Sequence, residues 1–579
     1  MDRPSRRAMR QAAIPVIDRT GAAGGDAWRQ AVVVAAVFQL AITLMVGWLL
    51  AINRSTSLAA GCFFDHDAYL LTAGGLVLLG MGWWPLRGAP VPALTRRVLF
   101  LWCALAALAA CAGTFLVFHH YPVSRDEQSA EFAATYLAAG HMGWPIPPRF
   151  RDLAQAMMPM HATVRPGAWL SNYLPVNAAI RAGAGLLGDR WLAGPLLLLA
   201  GALALASAAR RIWPDRPHAA TVAVVMSLTS TQVVVNAATP FAMTGHFALN
   251  ALWLACFLRG DRRGHALAIV VGLFASGLHQ SHFHIGFVMA FVVWLAIDRR
   301  FRLAGCYALA CLFYWFLWRH AWPWLLDATM GGQLVVSGTP PPANVNVVLW
   351  RLSQLQIGES LTRFIAWQNI LLLPLAIAGA GAVRQATGPA RILIGCALAC
   401  GWGLALLVLQ DHGYGYRYLH HLIPCFCLLA AGGWLAIEER LGRCLPASIL
   451  AASAAFALLF TLPVATWRIM VANAPYERAH AAARAAKADY LLVDTRAGAY
   501  LQDIVRVEEG PGPVLLDLGY VPAAAVTRLC AGSRVMIFGE AQARHFGIPV
   551  DPDRVANEAE AAARAAQLRR LGCGHPLPF

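Results

Sequence analysis

The sequence predicts an all-α polytopic membrane protein of about thirteen transmembrane helices carrying a small C-terminal extracytoplasmic α/β domain. Three observations predict it. Of 579 residues, 58% are hydrophobic and 13% charged, and the mean hydropathy is +0.54, too apolar for a chain solvated by water alone. Apolar runs of roughly 15 to 22 residues, long enough to span or nearly span the hydrocarbon core as helices, recur along most of the chain. After about residue 470 the pattern changes to short apolar runs between Ala-rich stretches, which reads as strands alternating with helices.

The apolar runs lie at 31–52, 68–86, 98–118, 190–209, 219–237, 245–258, 265–280, 283–297, 303–318, 367–383, 392–410, 418–437 and 447–467. Arg3, Arg6, Arg7 and Arg10 precede the first of them, and no small-residue cleavage site follows it, so it reads as an anchor. The net charge of +16 comes from Arg in small clusters between the runs. That spacing marks topology and gives no nucleic-acid partner. With a cytoplasmic N-terminal segment at 1–30, Arg87/Arg96/Arg97, Arg210/Arg211/Arg216, Arg259/Arg262/Arg263, Arg299/Arg300/Arg302, Arg384/Arg391 and Arg440/Arg443 all fall inside, as the positive-inside rule requires. The amphipathic stretch 173–188 then lies along the outer interface, and the C-terminus is outside a bacterial inner membrane.

The membrane domain is expected over 31–468, with long outside segments at 119–189 and 319–366, the latter including Pro340–Pro342. The α/β domain is expected over 469–579, with strands at Asp489–Asp494, Pro513–Asp517 and Arg534–Gly539. Eleven of the thirteen cysteines lie in or beside membrane helices, leaving Cys530 and Cys573 in the tail. These either pair in an oxidising compartment or remain two unrelated thiols.

The first outside segment opens with Tyr121-Pro122-Val123-Ser124-Arg125-Asp126-Glu127-Gln128, directly after a membrane run and before a helical pattern that ends at Gly140. Two acids in a first turn suit a capping box and the helix dipole. Capping leaves Asp126 without a specific role, and the functional reading is a carboxylate at the lipid–water boundary acting as general base on an acceptor hydroxyl.

Asp126-Glu127, Tyr136 to Gly140, Asn172-Tyr173-Leu174-Pro175 through Leu186-Leu187-Gly188-Asp189, Arg210-Arg211, and Tyr416-Arg417-Tyr418-Leu419-His420-His421-Leu422-Ile423-Pro424 occur here in a fixed order. In this the chain resembles the GT-C-fold glycosyltransferases that use polyprenyl-phosphate sugars, within them the protein O-mannosyltransferase and lipid A aminoarabinose transferase group. The resemblance covers roughly 98–440 and rests on several weak motifs. It implies Asp126 as catalytic base and Glu127 as a neighbour that positions substrate or a cation. It also implies Arg417 facing the lipid phosphate, with Tyr418 and Tyr173 from the matching motifs in the binding set. A sugar on a polyprenyl phosphate already carries a good leaving group, so one inverting displacement needs a base and cations but no protonating acid. A divalent cation is admitted but not required. For Arg417 the competing reading is an interfacial Arg that snorkels and pairs with Asp411.

Where many members of that group carry an acid, Asn236 to His246 has none, and His246 binds phosphate or acceptor or is an interfacial histidine. In Leu278-His279-Gln280-Ser281-His282-Phe283-His284, His279 and His282 share a helical face. That cluster is a metal site, a phosphate or sugar clamp, or a set of tolerated interfacial histidines. Trp144, Trp322 and Trp324 read as belt aromatics. The expected partners are a polyprenyl-phosphate-linked sugar, a lipid, glycan or protein acceptor, and membrane lipids. The competing functions are a secondary transporter or lipid flippase, and a non-enzymatic envelope assembly protein.

Overall fold

The computed structural model describes residues 19–53, 58–157, 161–332, 335–336, 356–409, 413–508, 510–549 and 558–578. The first four arginines, Pro340–Pro342 and Asp411 lie outside them. Among the described residues, eight helices are long and apolar enough to cross a membrane, and a ninth span forms if His218–Leu228 and Thr231–Ala237, bent by 63°, are taken together. The other four apolar runs fold as shorter helices, Met243–Phe257, Arg262–Ser276, Ser281–Ile297 and Leu372–Ala382. The thirteen runs are therefore not thirteen full-length spans.

The bundle has a buried apolar core and also turns large apolar side chains outward. Trp253 and Trp434 are buried, whereas Leu44, Leu105, Leu309 and Leu459 are exposed, as a surface against lipid requires. Helices Leu372–Ala382 and Ile423–Leu441 cross with backbones in contact: a Cβ on Gly379 or Gly433 would strike the carbonyl of Leu429 or Leu375, the small-residue packing typical of membrane interfaces. The broken span bends where Thr229 ends one helix and the Ser230 hydroxyl caps the next, accepting from the Val233 amide at 3.3 Å.

The membrane part also carries a four-stranded antiparallel sheet, in the order Trp144–Pro145, Ala168–Ser171, Ala162–Val164, Val335–Val336, which joins the two long segments 119–189 and 319–366. An all-α expectation does not contain it. Trp144 belongs to this sheet and stacks on Phe132 with centroids 5.7 Å apart. Trp324 is exposed.

The last membrane helix runs from Ala447 to Ala485, through the expected boundary at 469, and its end packs into the α/β tail, where Ala479 and Ala483 share a core with Leu491 and Phe538. The tail sheet is parallel, ordered Val514–Asp517, Tyr490–Val493, Val535–Phe538, His575–Pro576. The first three strands are the expected runs. Cys530 and Cys573 are joined, with Cα atoms 5.7 Å apart, which ties helix Ala523–Gly532 to the segment entering the last strand. Phe132, Leu153 and Trp169 of the segment 119–189 share one core with Leu492, Leu516 and Val526 of the tail.

Candidate functional site

Helix Arg125–Ala138 begins in a complete capping box. The Glu127 carboxylate accepts from the Ser124 amide and hydroxyl, both at 2.9 Å, while the Ser124 hydroxyl accepts from the Glu127 amide at 3.3 Å. This separates the adjacent acids. Glu127 is fully buried in the cap, and burial pushes its carboxyl up to about 7. Asp126, one residue earlier, faces the other way.

Asp126 Oδ1 accepts a short hydrogen bond from the Tyr173 hydroxyl, and Oδ2 accepts from Arg417 Nη1 at 2.9 Å. His161 Nε2 lies 3.7 Å from Oδ1. Burial by itself raises a carboxyl, but Arg417, His161, His279 and the Tyr173 hydroxyl together hold Asp126 well below the usual carboxylate range. The same burial raises Tyr173 and lowers His279 to about 4. The site therefore sets one carboxylate against one guanidinium, with burial working against charge on the imidazoles beside them.

The surroundings are aromatic. The His279 ring lies 4.1 Å from the Tyr173 ring, and the Arg417 guanidinium sits 4.4 Å over Phe241. Asp126, Ser171, Tyr173, Asn177, Phe241 and His279 line a small cavity. The helix from Arg417 to Leu441 connects this end of the bundle to the opposite one, where Arg216, Glu439 and Arg440 line a second cavity.

Of the residues singled out in the sequence, Tyr173, His279 and Arg417 thus converge on Asp126. Tyr418, His282 and His246 surround Phe283 instead, with ring centroids 5.6, 4.3 and 5.4 Å away. His282 is exposed and His246 buried. The expected common face of His279 and His282 is lost because the helix starts only at Ser281. His279 lies in the preceding turn, whose backbone pairs with the entry to helix Val176–Gly185: the Leu174 amide donates to the His279 carbonyl at 3.4 Å. His284 turns inward, with Nδ1 2.7 Å from Asn250 Oδ1. Among the described residues no three His, Cys, Asp or Glu side chains are grouped to hold a metal ion.

His161 and Phe241 escape the sequence reading. Phe241 lies in the acid-free turn and carries only a hydrophobic signal, while His161 is isolated and reaches Asp126 through the tertiary fold.

No family model and no curated protein matches the chain. Among solved structures, it is similar to ArnT from Cupriavidus metallidurans in the apo state, at 14% identity and TM-score 0.46 over 81% of this chain and 90% of that one. It is likewise similar to the same protein bound to undecaprenyl phosphate, at 14% identity and TM-score 0.48 over 83% and 90%.

Proposed function

We propose that this chain is a membrane glycosyltransferase that moves a sugar from a polyprenyl-phosphate carrier to an extracytoplasmic acceptor hydroxyl by inverting displacement. The observation that carries the reading is the Asp126–Arg417 pair, an anion and a guanidinium in contact beside a cavity at one end of an apolar bundle. A base for the acceptor and a cation for the leaving phosphate are the two groups this displacement needs.

The pairing also gives the pair an order of events. While Arg417 contacts Asp126 the carboxylate is a poor base; when the guanidinium turns to the donor phosphate, the proton affinity of Asp126 rises as the acceptor arrives. The Tyr173 hydroxyl keeps the carboxylate oriented meanwhile. The spacing of the Arg clusters supports reading this end of the bundle, and the tail domain with it, as extracytoplasmic.

A transporter reading draws on the broken span. At its bend, however, two polar side chains are engaged with neighbouring structure: Ser230 donates to Gln368 at 2.7 Å, and Thr229 accepts from Asn369 at 2.8 Å.

The test is transfer of labelled sugar from polyprenyl-phosphate donors to an envelope extract, by wild type and by Asp126→Asn at matched folding. Loss of about a hundredfold or more is expected on removing a general base. Equal activity would remove Asp126 from that role, and no transfer from any donor would move the weight to transport or assembly.

A further inference from the structure

Arg417 opens its helix directly after the turn 413–416, which has no regular secondary structure, yet all four carbonyls of that turn accept a hydrogen bond from a buried side chain. Arg363 Nη2 donates to Gly413, and its Nε donates to Gly415 at 3.4 Å. Between and after them, Asn236 donates to Tyr414 and Gln232 to Tyr416, both at 2.9 Å. Two of the three donors are themselves held by further side chains. Arg363 Nη1 pairs with Asp67 at 3.1 Å, the Trp367 indole donates to the same carboxylate at 3.0 Å, and Gln368 donates to the Gln232 side-chain oxygen at 2.9 Å. Asp67 and Arg363 are both buried, so removing either would leave a charge without its partner in apolar surroundings.

The turn is shaped for this grip. Gly415 has φ +74° and a Cβ there would meet Gln232, while a Cβ on Gly413 would strike the Arg417 side chain. Asp67 lies in a π-helical turn, Phe63–Asp67, a distortion that often accompanies functional sites.

We propose that Arg363, with Asn236 and Gln232, forms a positioning clamp that fixes the 413–416 turn and thereby the Arg417 guanidinium opposite Asp126. The inference rests on the glycosyltransferase reading for its functional consequence but not for its geometry. Arg363 touches no reacting atom and acts through Arg417.

The test uses the full chain in nanodiscs, comparing wild type, Arg363→Lys and, should that variant misfold, Asn236→Ala. Lysine keeps a charge beside Asp67 but cannot bridge two carbonyls. Hydrogen exchange over 413–422 should accelerate about tenfold or more while exchange over 490–538 stays unchanged. In transfer assays the donor KM should rise about tenfold, and adding Arg363→Lys to Arg417→Ala should cause no further loss, the signature of two residues acting through one group. Unchanged exchange over 413–422, or losses that simply add, would overturn the clamp. A wild type that transfers no sugar would overturn the glycosyltransferase reading, with exchange still deciding the clamp.

Discussion

The helix that carries Asp126 and the turn that carries Arg417 meet at one ion pair, and they are supported from opposite sides. The helix is held by the tail domain: Arg125 donates to the Gln502 carbonyl and, at 2.8 Å, to that of Val505, and Gln128 donates to the Asp503 carbonyl at 2.6 Å. The turn is held by side chains from within the bundle. Regular structure holds its own backbone and needs only its side chains anchored. An irregular turn must have its carbonyls satisfied one by one where water is scarce.

That contrast can be broken at the junction itself. Arg417→Ala should lower kcat/KM for transfer by about a hundredfold or more, the scale for losing a preorganised charge-stabilising donor, with thermal stability nearly unchanged. A small effect would mean that the donor phosphate is met elsewhere.

A smaller effect is expected on the tail side. Arg125→Ala removes two hydrogen bonds from a charged donor, each worth about 1.5–3 kcal/mol before relaxation. Exchange in the tail strands should rise while that over 413–422 does not. Acceleration in both places would show the two supports to be one cooperative unit.

The last effect concerns pH. Burial pushes Asp517 up to about 7 from its ordinary 3.8, so the folded tail holds this proton where the unfolded chain has released it. Its stabilising contribution is complete below about pH 4 and disappears as pH rises through about 7. The stability of the tail should therefore depend less on pH in Asp517→Asn, by on the order of 3 kcal/mol between pH 4.5 and 7.5. Parallel wild-type and variant profiles would assign the dependence to other groups.

The same two regions show how far the sequence could be read. Ser124 and Glu127 are three residues apart, so the cap was visible as a local pattern, and Tyr490–Val493, Val514–Asp517 and Val535–Phe538 were visible because each is a short buried run between turns. Asp126 stood out as an acid just beyond a membrane run that capping left without a role, and Tyr173 and Arg417 through the motifs of the family resemblance. His161, Arg363, Gln232 and Asn236 did not, because their partners are distant in sequence. The two-residue strands Trp144–Pro145 and Val335–Val336 are too short for any alternation to appear.

By itself, then, the sequence determined the solvent, the helical runs, the strands of the tail and the helix start beside Asp126, since hydrophobicity and capping act over a few neighbouring residues. Only the tertiary structure decided which acid faces the site, which histidine joins it and what holds Arg417, because a buried polar side chain takes the partner that the packed chain brings within about 3 Å, from any distance along the sequence.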